Sequence, residues 1–332
     1  MSNCSVISRF LKEESSVKIL YHWDCDGIAS AAITYLFRES KNLETLLEVP
    51  QPEIYDESTY ESLTDKENLV VLDYAVYPKF KAYVVDHHIV NYEGHALICN
   101  PIMCGAKEDE YPSTTMVIYK YIISGYEHLV ALGILGDLGL RALHGRWRRF
   151  IESACKEYSV DVKDLIKASE ILNSCYALLN RNLIFKACKL LIDKGVGGIL
   201  GDSEISSIKE RIDAEVRDAI ANAEKILEDS KIVVFSVDVN SAIVSRVGRA
   251  LASKYADRVI ILIARIKTLG IDRMYIRSTT RNLSKVLHQL RLLMKRISMG
   301  GKDSIISLIC SSNRCSKELP IVLSVLKKLR GE

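Results

Sequence analysis

The sequence predicts an α/β protein of two domains, a doubly wound, mostly parallel sheet joined by a helical connector to a smaller α/β module. Three observations lead there. Short apolar runs recur, and three of them end in an acid: Ser16–Tyr21 enters His22-Trp-Asp24-Cys-Asp26-Gly27, Leu69–Leu72 enters Asp73, and Tyr83–Val85 enters Asp86-His87-His88. The first run is followed by an apolar, Ala-rich stretch, Gly27–Phe37, so strand, acidic turn and helix make one βα unit. After Ser230 the alternation of strand and helix begins again. At 332 residues the chain is long enough for two cores.

In an open parallel sheet the carboxyl ends of the strands share one edge, where ligands bind. That edge gathers His22, Asp24, Asp26, Asp73, Asp86, His87 and His88, although the chain keeps them far apart. A further acid, Asp137, stands in Leu135-Gly-Asp-Leu-Gly139 within the apolar stretch Leu129–Leu140. A carboxylate in such surroundings needs a partner or a cation, or caps a helix end. Residues 150–200 read as helices, with Leu165, Ile166, Ala168, Ile171 and Leu172 at helical spacing, until Gly195-Val-Gly-Gly198 breaks the pattern. A stripe of Ile205, Ile208, Ile212, Val216, Ile220, Ala223 and Leu227 predicts one helix from Glu204 to Glu228. Strands are then expected at Ile232–Val237, Val259–Ala264, Met274–Arg277 and Ser304–Ile309. The helices between and after them are Ser241–Tyr255, Leu283–Arg296 and Lys317–Leu329. The expected division is a first domain over 1–200, a connector over 201–230 and a second domain over 231–332.

Net charge is only +3, so any surface for a polyanion is local. Apolar runs such as Val259–Ala264 are too short to span a bilayer. Nine cysteines without a signal peptide point to a reduced, cytoplasmic setting with buried thiols. The spacings Cys99/Cys104 and Cys310/Cys315 do not suit a zinc ribbon, and no structural zinc is expected.

Taken in order, His-x-Asp-x-Asp-Gly, Leu-Asp, Asp-His-His and Gly-Asp resemble the motifs of the DHH phosphoesterase superfamily. That family includes RecJ-type exonucleases, oligonucleotide-degrading nanoRNases, cyclic-dinucleotide phosphodiesterases and manganese pyrophosphatases. The resemblance covers roughly the whole chain by order of elements, and is greatest to archaeal RecJ-like nucleases. It implies a DHH domain, a connector and a DHH-associated domain that holds the nucleotide. It also implies two divalent ions, which hydrolyse phosphodiesters when held about 3.5–4 Å apart.

Asp24, Asp26, Asp73, His87 and Asp137 match ligand positions of the family, with Asp73 expected to bridge. Imidazole and carboxylate together suit manganese better than calcium, with magnesium, zinc or iron as alternatives. His22 lies two residues before Asp24 rather than the four seen in some branches, so it either reaches a metal or orients a ligand. His88 is assigned to the substrate phosphate or leaving group, and Asp86 to holding His87 by its other ring nitrogen. Gly27 is expected to open the following helix with free N–H groups towards an anion.

For substrate, the resemblance points to Ser113 and Thr114, which read equally as an ordinary helix cap. Arg141 begins a basic group with Arg146, Trp147, Arg148 and Arg149, suited to bases and phosphates or to a solvated helix face. Arg277 ends a strand, and Gly300-Gly301-Lys302 stands where the family has Gly-Gly-His, in a segment read as the link from helix to strand. A lysine keeps a phosphate contact but loses imidazole stacking. The implied activity is a metal-dependent phosphodiesterase, an exonuclease on single-stranded RNA or DNA or on short oligonucleotides. Two alternatives stay open: a cyclic-dinucleotide or small-phosphoester hydrolase or pyrophosphatase, and a scaffold among replication or repair proteins.

Overall fold

Ser16–Tyr21 (β1), Glu44–Glu48 (β2), Leu69–Leu72 (β3), Tyr83–Val85 (β4) and Leu97–Cys99 (β5) form one parallel sheet, in the order β2-β1-β3-β4-β5. The computed structural model describes residues 3–52, 56–61, 63, 66–295, 297–311 and 314–328. Its two units are Met1–Lys209 and Glu210–Glu332. All four residues of β3 are buried, as a central parallel strand covered on both faces requires. The edge strand β2 is not evident from the sequence; Glu at both its ends and partial exposure hide the apolar signal of a strand.

The helices of this unit are Cys4–Glu13 (α1), Cys25–Glu39 (α2), Thr114–Tyr121 (α3), Glu127–Leu138 (α4), Arg148–Glu157 (α5), Val162–Ala177 (α6) and Arg181–Gly201 (α7). Helix α2 starts two residues before Gly27, because the Asp24 carboxylate caps it by accepting the Gly27 N–H at 3.1 Å. Gly195 breaks α7 with φ of 61°. Arg38 on α2 is fully buried, and its guanidinium donates to the carbonyls of Leu11 (2.9 Å), Glu14 (3.0 Å) and Glu44 (2.7 Å) and to the Thr45 hydroxyl (3.0 Å). It thereby ties the end of α1 to the start of β2.

The helix expected over Glu204–Glu228 ends sooner. Ser203–Ala221 (α8) is helical, and Glu224–Glu228 (β6) is a strand antiparallel to Ile232–Val239 (β7). Leu227 packs into the core of the sheet rather than extending the helical stripe. Val244–Lys254 (α9), Val259–Ile266 (β8), Ile271–Arg277 (β9), Ser284–Leu293 (α10), Ser298–Lys302 (β10), Ile305–Ser311 (β11) and Cys315–Lys328 (α11) complete the second unit. Its strands run in the order β10-β11-β9-β8-β7-β6, and only β7 and β8 pair in parallel. Strand β10 corrects the expected link: Ser298–Lys302 pairs with β11, and a Cβ on Gly301 would collide with the Ile305 carbonyl. Val286 and Leu290 of α10 and Val322 and Val325 of α11 cover Ile261, Met274, Ile276 and Leu308 of the sheet. Arg296 and Leu329, at the ends of the expected helices, lie outside the described residues.

Disulfides join Cys4 to Cys99 and Cys310 to Cys315. This corrects the expectation of thiols throughout; Cys25, Cys155, Cys175 and Cys188 are free and buried, and Cys104 is free and exposed. Among the described residues no helix is long and apolar enough to cross a membrane.

Candidate metal centre

The ends of β1, β3 and β4 and the two helices α3 and α4 build one acidic cluster. After β1, the His22 N–H continues the ladder to the Leu72 carbonyl at 3.1 Å, and His22 Nδ1 lies 2.9 Å from Asp24 Oδ2 and 3.9 Å from Asp73 Oδ2. The turn into α2 requires Gly27, because a Cβ there would collide with the His22 carbonyl. Its N–H is used by Asp24, so the expected role of Gly27 as an open anion donor is corrected.

Asp73 follows β3 with φ of 58°, the left-handed region that a residue with a side chain rarely occupies. Its N–H donates to the Val85 carbonyl at 3.0 Å and its Oδ1 accepts the Thr114 hydroxyl at 2.8 Å. Asp26 lies under the start of α3, accepting the N–H groups of Thr114 (2.6 Å) and Thr115 (3.1 Å). Gly133 on α4 makes room for it: a Cβ there would meet both Asp26 and Thr115.

At the end of β4, Asp86 Oδ1 accepts the backbone N–H of His87 (2.6 Å) and of His88 (3.1 Å) and lies 2.7 Å from His88 Nδ1. The ring held by Asp86 is therefore that of His88, not of His87 as expected. His87 Nδ1 instead lies 3.2 Å from the Tyr111 carbonyl, which only accepts, so Nδ1 carries hydrogen. Its Nε2 is directed to Asp137 Oδ2 at 3.0 Å and Asp73 Oδ1 at 3.7 Å. Asp137 reaches this point from the last turn of α4.

Three groups of donor atoms, each gathered within 4.8 Å, overlap here: His22, Asp24 and Asp73; Asp26, His87 and Asp137; and Asp73, Asp86, His87 and His88. Burial pushes the Asp26 carboxyl up to about 7, with Asp137 adding repulsion. Burial and then Asp26 and Asp24 push Asp73 well above the ordinary range. For Asp86, burial acts upward, but the His88 ring outweighs it and holds the carboxyl below its usual value. The same balance lowers Asp24, where His22 and the Gly27 N–H prevail over burial. Burial acts downward on His87, yet Asp137 carries it up to about 9. These buried acids answer to one another and to histidines, and Asp73 Oδ2 accepts no hydrogen bond among the described residues. Such a donor set fits a divalent cation of the manganese, magnesium, iron or zinc type.

The residues expected to face substrate fall in both units. Ser113 is buried and caps α3, accepting the Met116 N–H at 3.2 Å, and Thr114 is buried on Asp26 and Asp73; both support the cluster. Arg141 is exposed in the short 3-10 helix Gly139–His144 that follows Asp137. Nearby, Arg146 lies 5.2 Å over the Trp147 ring and 3.2 Å from Asp109, and Arg148 lies 2.7 Å from Glu152, so much of this basic group is paired locally. In the second unit, Arg277 at the end of β9 donates to the Tyr275 hydroxyl at 3.1 Å. Gly300 and Gly301 lie opposite Ser307 and Ile306, and Lys302 opposite Ile305; the Lys302 side chain lies outside the described ones.

Sequence reasoning missed two contributors. Tyr111 acts through its backbone carbonyl, which leaves no mark in a residue pattern. Asn173 on α6 did leave one, a single amide within the apolar stretch Ile171–Cys175.

No protein-family model and no curated protein matches this sequence. Solved structures do match it. The chain superposes over its whole length on 95% of exonuclease RecJ bound to manganese, at 14% identity and a TM-score of 0.69. It matches the DHH domain of a member of the s1p family of ribosomal proteins at 15% identity and a TM-score of 0.65, over 97% of this chain and 88% of that one. With RecJ from Thermus thermophilus in complex with Mg2+, identity is 13% and the TM-score 0.67 over 98% of this chain, which spans about half (51%) of the longer protein. At these identities the likeness is one of fold.

Proposed function

We propose that this chain, which has the DHH phosphoesterase fold, is a metal-dependent phosphodiesterase that shortens single-stranded nucleic acid or short oligonucleotides from an end. The observation that carries this reading is Asp73, a buried carboxylate shared by two of the overlapping donor groups. Asp73 with His22 and Asp24 would hold one cation, and Asp26, His87 and Asp137 a second, with Asp73 Oδ1 3.7 Å from His87 Nε2 between them; manganese suits this mixture best. When bound, such a pair lowers the pKa of water and neutralises charge on the attacked phosphate.

The chain's own residues supply the rest. Tyr111 fixes the His87 ring so that Nε2 faces the cluster. Asp86 fixes the His88 ring through Nδ1, which leaves Nε2 to give a proton to the departing oxygen. Thr114 holds Asp73 and Asp26 together through its hydroxyl and its N–H. Arg141, Arg277, Gly300, Gly301 and Lys302 are assigned to the substrate strand, the arginines and lysine to its phosphates.

The test is an assay with added manganese on end-labelled RNA and DNA ladders that include dinucleotides, with and without chelator. Chelator-sensitive shortening to mononucleotides is expected, and the surviving end label gives polarity. Cleavage of dinucleotides alone would move the assignment to a small-substrate hydrolase, and no cleavage would overturn it. Asp73→Asn removes the shared charge at nearly constant shape. It should lower turnover by at least about a thousandfold while the far-ultraviolet spectrum stays unchanged, the scale expected when a metal's electrostatic contribution is lost.

A further inference from the structure

Asn173 lies on α6, outside every motif that carries a carboxylate or a histidine. Its Oδ1 accepts the Cys25 N–H at 3.0 Å, and its Nδ2 donates to the Gly136 carbonyl at 3.0 Å. Cys25 is the residue between Asp24 and Asp26, and Gly136 is the residue before Asp137. The Cys25 N–H belongs to the first turn of α2 and the Gly136 carbonyl to the last turn of α4, where neither group has a partner within its own helix. One amide therefore joins the start of one helix to the end of another, and each of those ends bears acids of the cluster.

We propose that Asn173 is a positioning residue that sets the spacing of the two acid-bearing turns and thereby the affinity for the cation between Asp26, His87 and Asp137. The proposal rests on the metal-site reading above. A primary amide suits the position because one planar group must present an acceptor to one turn and a donor to the other. Aspartate keeps the acceptor, loses the donor and adds charge to an acidic site; leucine has neither. The helices already approach closely here, since a Cβ on Gly136 would lie 2.7 Å from the Cys25 Cβ. Packing brings the turns near each other, and the amide fixes their register.

Manganese binding to the full chain, followed by electron paramagnetic resonance and calorimetry, tests this without relying on activity. Wild type should bind two ions with a coupled spectrum. Asn173→Ala should keep one ion at near-native affinity, bind the second at least tenfold more weakly and lose the coupled signal. Its circular dichroism should remain native. Asn173→Asp, nearly identical in shape, should likewise lose affinity at the second ion and serves if the alanine variant fails to fold. Two ions bound with wild-type affinity by a folded variant would overturn the proposal. A wild type that binds no manganese pair would overturn the site reading, and this proposal with it.

Discussion

Asp26 accepts two N–H groups from the start of α3, an arrangement that ordinarily favours a carboxylate, yet it is pushed up to about 7. Burial and Asp137 outweigh those bonds. A carboxyl raised in the folded state contributes stability that is present below its unfolded value near 3.8 and is lost as pH rises towards 7. His87, raised to about 9, acts in the same direction: its contribution is full below 6.5 and is lost as pH rises through 9. The metal-free protein should therefore melt at progressively lower temperature from pH 5 to pH 8, and added manganese should remove most of that slope by supplying the missing positive charge. Equal melting temperatures across that range without metal would show that the cluster is not strained by its own charge. The acids and histidines were legible in the sequence because buried charge has few other uses. Which ring Asp86 holds was not legible, because adjacent residues leave a strand end in opposite directions and only the folded arrangement distinguishes His87 from His88.

Elements were legible where an apolar run was long or fully buried. The strands β1, β3 and β4 and the helix α2 have that character, and they place most of the cluster. The edge strands β2, β6 and β10 do not: they carry charges or glycines and their described side chains are exposed or only half-buried, so their periodicity is weak. The boundary of α8 was missed because Ala223 and Leu227 continue the phase of its stripe, while the chain's hydrogen bonds are taken over by β7. At this scale Arg38 is the test residue, because α1, α2 and β2 meet at its guanidinium. Arg38→Leu would leave several buried carbonyls without donors and should destabilise the first unit by roughly 3 kcal/mol or more in urea unfolding. Lysine should not restore it, since one ammonium cannot reproduce the fork of donors.

For the whole molecule, the order of the motifs carried the α/β class and the second module. The pairing of Cys4 with Cys99 was beyond reach, because 95 residues separate them and only the return of the chain to β5 brings α1 alongside. That bond turns the chain between the two cysteines into a closed covalent ring. Of the eight cluster residues, His22, Asp24, Asp26, Asp73, Asp86, His87 and His88 lie on the ring, and Asp137 alone lies beyond it. A protease that cuts once within the ring opens the backbone without parting the pieces. Such a nicked chain should run as one band on a gel without reductant and as two after reduction. If cutting between Cys4 and Cys99 releases a fragment before reductant is added, the ring is not closed in the protein. If it is closed, a single break leaves every one of those seven residues still tethered to Asp137.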